Sequence, residues 1–539
     1  MIKVYFPPPA ESGSEPADRW ASPAIPVVPE AVLVRHGARV LRPADAARRG
    51  SGPPARPTVY RSGAVLIPND LVFTDGVLPE LNGRLSDLNL ELVTPPPLTE
   101  ILGDLAHLAD TDAFNSLPRS VEIQVTEGAA ARPVDAWTVL ETLRSRTGEN
   151  DPFQPVVARI TLDHLLVGSA VDGAGSAVLV GANTASHGSP DLGDLFERPS
   201  PGTSGRVPVT VALAEPTRPA PAGCRRAVVA VLDSGIGGHP WLPVVERGKP
   251  GAAHAVVLVD PVFQEALTIS ALADTRNPRE PIVGYADLPY VDQPLLGELT
   301  THTGHGTFIA GLVRQVAPAA QVFALRVMHP DGFAHEADVL LALTFLAAQA
   351  ELGGVGQPVD VVSLSLGYFH ESDAEVGVTK LLAPVLDTLT RAGITVVAAA
   401  GNFSTGREFY PAALAPGLTA GAPMLSVGAL NPNATTARFS DEAPWVGCYA
   451  SGVALVSTFP AMSGALDPVA RVGTRESFDP DDFRGGFGLW SGTSFATPVV
   501  AACLADRLTI AATAADRIAQ ARQALSDLRA DPDLTIAHP

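Results

Sequence analysis

The chain has 539 residues, 46% apolar and 17% charged, and its 37 Lys plus Arg against 57 Asp plus Glu give a formal charge of −20. This is material for roughly two to four globular domains, and the acidic balance excludes a nucleic-acid-binding role, which needs a basic face for phosphates. Cys224, Cys448 and Cys503 lie too far apart to make a disulfide framework or a zinc knuckle. The longest apolar run, residues 337–349, is too short to span a membrane.

The opening MIKVYFPPPAESGSEPADRW has no apolar stretch after Lys3, so no secretory signal is expected and the chain is assigned to the cytoplasm. Residues 1–58, rich in Pro, Ala, Arg and Gly, are expected to be mostly irregular, with a short strand at 31–34. VYRSGAVLI then reads as a strand, residues 96–110 as a short amphipathic helix, and SVEIQVTEG as an alternating strand. AWTVLETLRSRTG carries apolar residues at helical spacing and closes on a glycine, and ARITLDHLLVG returns as a strand. Residues 59–215 are thus expected to form a small N-terminal α/β domain, ending on the strand-like RVPVTVALAE. Residues 216–223, PTRPAPAG, form an exposed linker.

From residue 224 to 539 the pattern is regular. AVVAVLD, QVFALRVM, VDVVSLSLG, ITVVAAAGN and MLSVGAL are short apolar runs suited to a sheet covered on both faces. HGTFIAGLVRQV, ADVLLALTFLAAQAEL and TKLLAPVLDTLTRAG between them read as helices. The alternation predicts an α/β fold, a doubly wound, mostly parallel sheet flanked by helices, with its site at the carboxyl ends of the strands.

Those strand ends carry four notable residues. Asp233 ends a buried strand and reads either as a turn-former or as the orienting carboxylate of a histidine. His305 stands between Gly304 and Gly306, which let another chain approach its ring, but a structural histidine fits equally well. Ser494 opens a helix, as a cap or as a nucleophile beside the unpaired N–H groups of the helix start. Asn402 follows Gly401 as an ordinary turn pair or as an amide donor to a developing oxyanion.

Taken in order, DSGI, GHGTFIAG, SLSLG, AAAGN and SGTSFATP resemble the subtilisin-like serine proteases, over most of residues 224–508. The resemblance implies that Asp233 orients His305, that His305 acts as general base and then acid, and that Ser494 attacks the scissile carbonyl. Asn402 and the Ser494 backbone N–H would hold the oxyanion. It further implies that Ser365, Leu366 and Gly367 pair with the substrate backbone like an added strand, and with Ala399, Ala400 and Gly401 wall the primary specificity pocket. Tyr410-Pro411-Ala412 is also similar to the family, and His239 matches a structural histidine there. The implied function is a serine endopeptidase acting on peptides or proteins, with no nucleic-acid or membrane partner and the oligomeric state open. The alternatives are a peptide ligase or cyclase on the same fold and a catalytically silent peptide-binding module.

Against the family pattern, residues 250–299 and 462–488 are insertions, the second rich in carboxylates and arginines. Phe403 stands where a small or polar residue is common, which favours small or apolar side chains in the pocket. No cofactor or metal is expected; family members often bind structural calcium, but no Asp-x-Asp-x-Asp-Gly loop is present. The N-terminal domain reads as pro-domain-like, with 216–223 as the cleavage segment, or as a permanent regulatory domain.

Overall fold

The computed structural model describes residues 2–8, 28–42, 55–130, 133–148, 150–170, 205–209, 213–218, 225–289, 291–293, 298–353, 358–372, 381–462, 471–472, 474–476, 483–508 and 514–537. Its N-terminal part contains β1 (Val4–Tyr5), α1 (Glu30–Arg35), β2 (Ala38–Leu41), β3 (Thr58–Pro68), β4 (Leu90–Leu92), β5 (Pro118–Val125), α2 (Ala136–Ser145) and β6 (Thr161–Gly168). Alternation in β5 and β6 sends Val121, Ile123 and Leu162 to one side, where they meet Leu140 and Leu143 of α2 in a shared core. Asp135 caps α2 by accepting a hydrogen bond from the Thr138 N–H.

Three details differ from expectation. Residues 31–34 lie in the helix α1, not in a strand: Glu30 in its first turn and Arg35 in its last complement the helix dipole. Among the described residues of 1–58 lie β1, α1 and β2. The single helix expected over 96–110 is divided into Leu98–Leu102 and a 3₁₀ stretch Gly103–Leu108, at a glycine with φ of 52°. Of RVPVTVALAE only Val207–Pro208 is strand, and residues 210–212 lie outside the described residues. Also outside them are 219–224, with Cys224, and most of the 462–488 insertion.

Beyond residue 225 the elements are β7 (Val228–Asp233), β8 (Val244–Glu246), β9 (Val257–Val259), α3 (His305–Val316), β10 (Gln321–Arg326), β11 (Phe333–His335), α4 (Glu336–Glu351), β12 (Val361–Leu364) and β13 (Leu366–Phe369). They are followed by α5 (Leu382–Arg391), β14 (Thr395–Ala399), β15 (Phe409–Tyr410), β16 (Met424–Leu430), β17 (Cys448–Ser451), α6 (Thr493–Arg507) and β18 (Thr535–Ile536). A ten-stranded sheet runs in the order β18-β1-β17-β16-β14-β12-β7-β10-β9-β8, parallel throughout except between β1 and β17. Along β7, Val228, Ala230 and Leu232 pack beneath α4 and α5, while Val229 and Val231 pack beneath α3 and α6. This is the doubly wound fold that the two-sided apolar runs require.

A second sheet joins the two parts of the chain. It has eight strands in the order β15-β13-β6-β3-β5-β4, with β11 also on β6 and β2 on β3. The first half of β6 pairs with β3, and its second half runs antiparallel between β11 and β13. Leu165, Leu166 and Val167 stand opposite His335, Ala334 and Phe333, while Val167 and Gly168 stand opposite Gly367 and Leu366. Besides β1 in the ten-stranded sheet, the N-terminal part therefore meets the second half of the chain through β6, whose far end pairs with β11 and β13. No helix among the described residues is long and apolar enough to cross a membrane.

Candidate active site

Asp233 is the last residue of β7 and His305 the first of α3, both buried, and His305 Nδ1 lies 2.7 Å from Asp233 Oδ1. The same carboxylate oxygen accepts the Ser234 N–H at 2.7 Å. Behind this pair, Ser234 Oγ accepts the Gly306 N–H and donates to Asp287 at 3.1 Å. Burial pushes the Asp287 carboxyl up to about 7, against hydrogen bonding from Gly304 and the charge of Arg326. Ser494 sits in the first turn of α6, and the ring of its neighbour Phe495 packs on His305 with centroids 5.2 Å apart. The Ser494 hydroxyl donates to the Ser365 carbonyl at 3.0 Å, and His305 Nε2 has no hydrogen-bond partner.

Asn402 is fixed by its oxygen: Oδ1 accepts both the N–H and the hydroxyl of Thr493 at 2.9 Å. Its amide nitrogen therefore faces the cleft, where it donates to the carbonyl oxygen of Ser169 at 2.5 Å. The Ser494 N–H donates to the same oxygen at 2.9 Å. Ser169 N–H in turn donates to Ser365 at 2.9 Å, and Gly168 N–H to Gly332 at 2.8 Å. Residues 165–169 thus lie across the cleft as an added strand, with one carbonyl between two donors beside a serine hydroxyl. Gly168 is required there by space, since a Cβ would come within 2.6 Å of the His302 ring.

Ser365, Leu366 and Gly367, and Ala399, Ala400 and Gly401, the two segments expected to wall the pocket, are all buried. The Phe409 ring lies close to both segments: a Cβ built on Gly401 would meet it at 3.2 Å, and one on Gly367 closer still. Phe403, singled out by sequence, packs behind on Phe369 and Phe409 at 5.0 and 5.5 Å between centroids. The buried Asp441 carboxyl accepts the Phe403 and Thr405 N–H groups, and burial raises its pKa against those two hydrogen bonds. His239 packs edge-on against Trp241 and Phe487 and takes no part in the cluster at His305.

The subtilase family model matches residues 225–525, more than half of the chain. The chain belongs to the subtilase family. Curated relatives include subtilisin E of Bacillus subtilis (strain 168), 27% identical over 216 residues, which are 38% of this chain and 45% of the relative. Subtilisin BL of Lederbergia lenta is 28% identical over 220 residues, 39% of this chain and 65% of the relative. The chain spans about half the length of the first of these relatives. Among solved structures, a mutant of the protease domain of PatA is 17% identical with a TM-score of 0.33, over 53% of this chain and 82% of that one.

In this subtilase, at family level a serine protease, the match begins after residue 224 and leaves β6 and everything before it outside. The structure brings Asp233 to His305, sets Phe495, the neighbour of Ser494, on the His305 ring, and joins Ser494 and Asn402 through one shared carbonyl, with Ser365 hydrogen-bonded to Ser494. Sequence reading missed Ser169, Asp287 and Phe409. Phe409 carried a faint signal, standing directly before Tyr410-Pro411-Ala412. Ser169 carried none.

Proposed function

We propose that this subtilase is a serine endopeptidase whose N-terminal part occupies the cleft as its first substrate, with Ser169–Ala170 as the bond to be cut. The observation that carries this reading is the Ser169 carbonyl oxygen, held by Asn402 Nδ2 and Ser494 N, the geometry an oxyanion site presents to a scissile carbonyl. His305 Nε2 takes the Ser494 hydroxyl proton as Oγ bonds to the Ser169 carbonyl carbon, and Asp233 stabilises the imidazolium. The tetrahedral oxyanion rests on the two donors. His305 then delivers the proton to the Ala170 nitrogen, the C–N bond breaks, and the Ser169 acyl group remains as an ester on Ser494. Water, deprotonated by His305, adds to the ester and releases the Ser169 carboxylate and the serine hydroxyl.

The same geometry supports a preference for a small residue before the cut, because Phe409 shortens the pocket, and for glycine one place earlier, because of His302. It moves the expected processing site upstream from 216–223, since the segment in the cleft is 165–170. Arg206, buried and donating to the carbonyls of Thr300, Thr301 and Thr303, would keep the new N-terminal stretch anchored on the catalytic half. Until it dissociates, the part ending at Ser169 would act as a pro-domain-like restraint.

Intact mass of wild type and Ser494→Ala, each with and without a fluorophosphonate probe, tests this. Wild type alone should take up one probe molecule and yield an N-terminal fragment ending at Ser169. An unlabelled, uncut wild type would mean a silent module, a cut confined to 216–224 would displace the proposed bond, and joined fragments lacking the added water would mean a ligase.

A further inference from the structure

Away from the cleft, three histidines meet at the seam between α1 and the hairpin that ends in β11. His36 closes the C-terminus of α1, His329 and His335 come from the catalytic half, and all three are at least nine-tenths buried. One ring nitrogen from each lies within 4.8 Å of the others. His36 Nδ1 is 3.2 Å from His335 Nε2, close to the roughly 3.3 Å that separates two nitrogens sharing a tetrahedral metal with bonds of about 2.0–2.1 Å. His329 Nε2 is buried without any hydrogen-bond partner, a cost that proteins rarely leave unanswered. The other nitrogen of His36, Nε2, lies 3.0 Å from Asp331 Oδ2, which Arg35 also contacts at 2.7 Å. A carboxylate on the far nitrogen is the usual partner that fixes the ring of a metal-bound histidine.

We propose that His36, His329 and His335 bind one divalent transition metal of the zinc class, oriented by Asp331 on His36, with the fourth position left to water. Three imidazoles favour zinc, nickel or copper over calcium or magnesium, which prefer oxygen. The second buried histidine cluster is a different case. His164 spends Nδ1 on Glu336 at 2.6 Å and Nε2 on Glu371 at 2.8 Å, so neither nitrogen is left for an ion.

The position gives the site a role. His36 belongs to the N-terminal part, whereas His335 lies on β11, one of the two strands that grip β6 in the cleft. A metal here would tie the N-terminal part to the strand that presents residues 165–167. The binding claim stands independently of proteolysis; the clamping role rests on the proposed restraint.

Untagged full-length Ser494→Ala, stripped with chelator and titrated with zinc, should bind one ion per chain by calorimetry and elemental analysis, and its cobalt form should show the intense visible bands of a four-coordinate site. His329→Gln and His36→Gln should lower affinity at least 100-fold, Asp331→Asn should lower it about 10–100-fold, and His370→Gln should leave it unchanged. Zinc should raise the Tm of the parent and not that of the folded histidine variants. No stoichiometric binding by the parent, or equal binding by the His329 and His36 variants, would overturn the site. Binding that leaves proteolytic release of the N-terminal part in wild type unaffected would overturn the clamp alone.

Discussion

Asn402 presents its amide to the cleft because Thr493 occupies its oxygen with two donors, which forbids the flipped orientation. Its value to the reaction lies in a charge that exists only after attack, so it should matter to kcat more than to substrate affinity. Asn402→Ala is expected to lower kcat by about 10²–10³ with KM little changed, the loss known for removing one such donor from subtilisin. Steady-state kinetics on a small peptide checks this, and a near-normal kcat would remove Asn402 from the oxyanion site. Thr493→Val deletes only one of the two donors to Asn402 and should have a smaller effect on kcat in the same assay.

At the scale of elements, β15 pairs with β13 and brings the Phe409 ring against both Gly367 of β13 and Gly401 just after β14, the segments of the proposed pocket. In the proposed reading it is this ring that limits the depth of the pocket. A peptide panel varied at the residue before the cut should therefore rank Ser and Ala above Leu and Phe. Phe409→Ala should raise kcat/KM for the large apolar residues by about 10–200-fold, the usual worth of a little added pocket space. An unchanged ranking in a folded variant would show that the pocket is bounded elsewhere. The substitution also removes a buried ring, so a loss of roughly 3–5 kcal/mol in stability is expected beside it and is readable by denaturant melts.

Across the whole molecule the two parts of the chain are joined by buried charge as well as by β6. Burial alone would lower the pKa of His164, but Glu336 and Glu371 hold it up at about 10. Burial would likewise raise that of Glu371, yet His370 and His164 hold it below its ordinary value. Freed from the interface, His164 returns toward the ordinary value of about 6.5. Its contribution to association is complete below about pH 6.5 and is lost as pH rises toward 10, by up to about tenfold per unit. The Glu371 contribution is present above its ordinary value and is lost as pH falls below it. Residues 1–169 added in trans to the cut enzyme should inhibit best near pH 5–7 and progressively less toward pH 9. His164→Gln should flatten the alkaline limb, and an unchanged pH profile in that variant would exclude His164 as its cause.

Much of this protein was legible in its sequence because much of it is local. A strand buried on both faces must be apolar along its length, and the alternation of such runs with helices admits few arrangements other than a doubly wound sheet. Asp233, His305, Ser494 and Asn402 stood at strand ends and helix starts in a recognisable order, so their meeting could be anticipated. What occupies the cleft could not be read in this way. Ser169, Gly168, Phe409 and the three histidines are ordinary residues in their own neighbourhoods, and they acquire meaning only from partners far away in sequence. Ser169 meets Asn402 and Ser494, and His36 meets His335, through pairings that no local period encodes. Local periodicity decided the elements; tertiary pairing, which sums many weak long-range contacts, decided which carbonyl lies between the Asn402 and Ser494 donors and which imidazoles lie together.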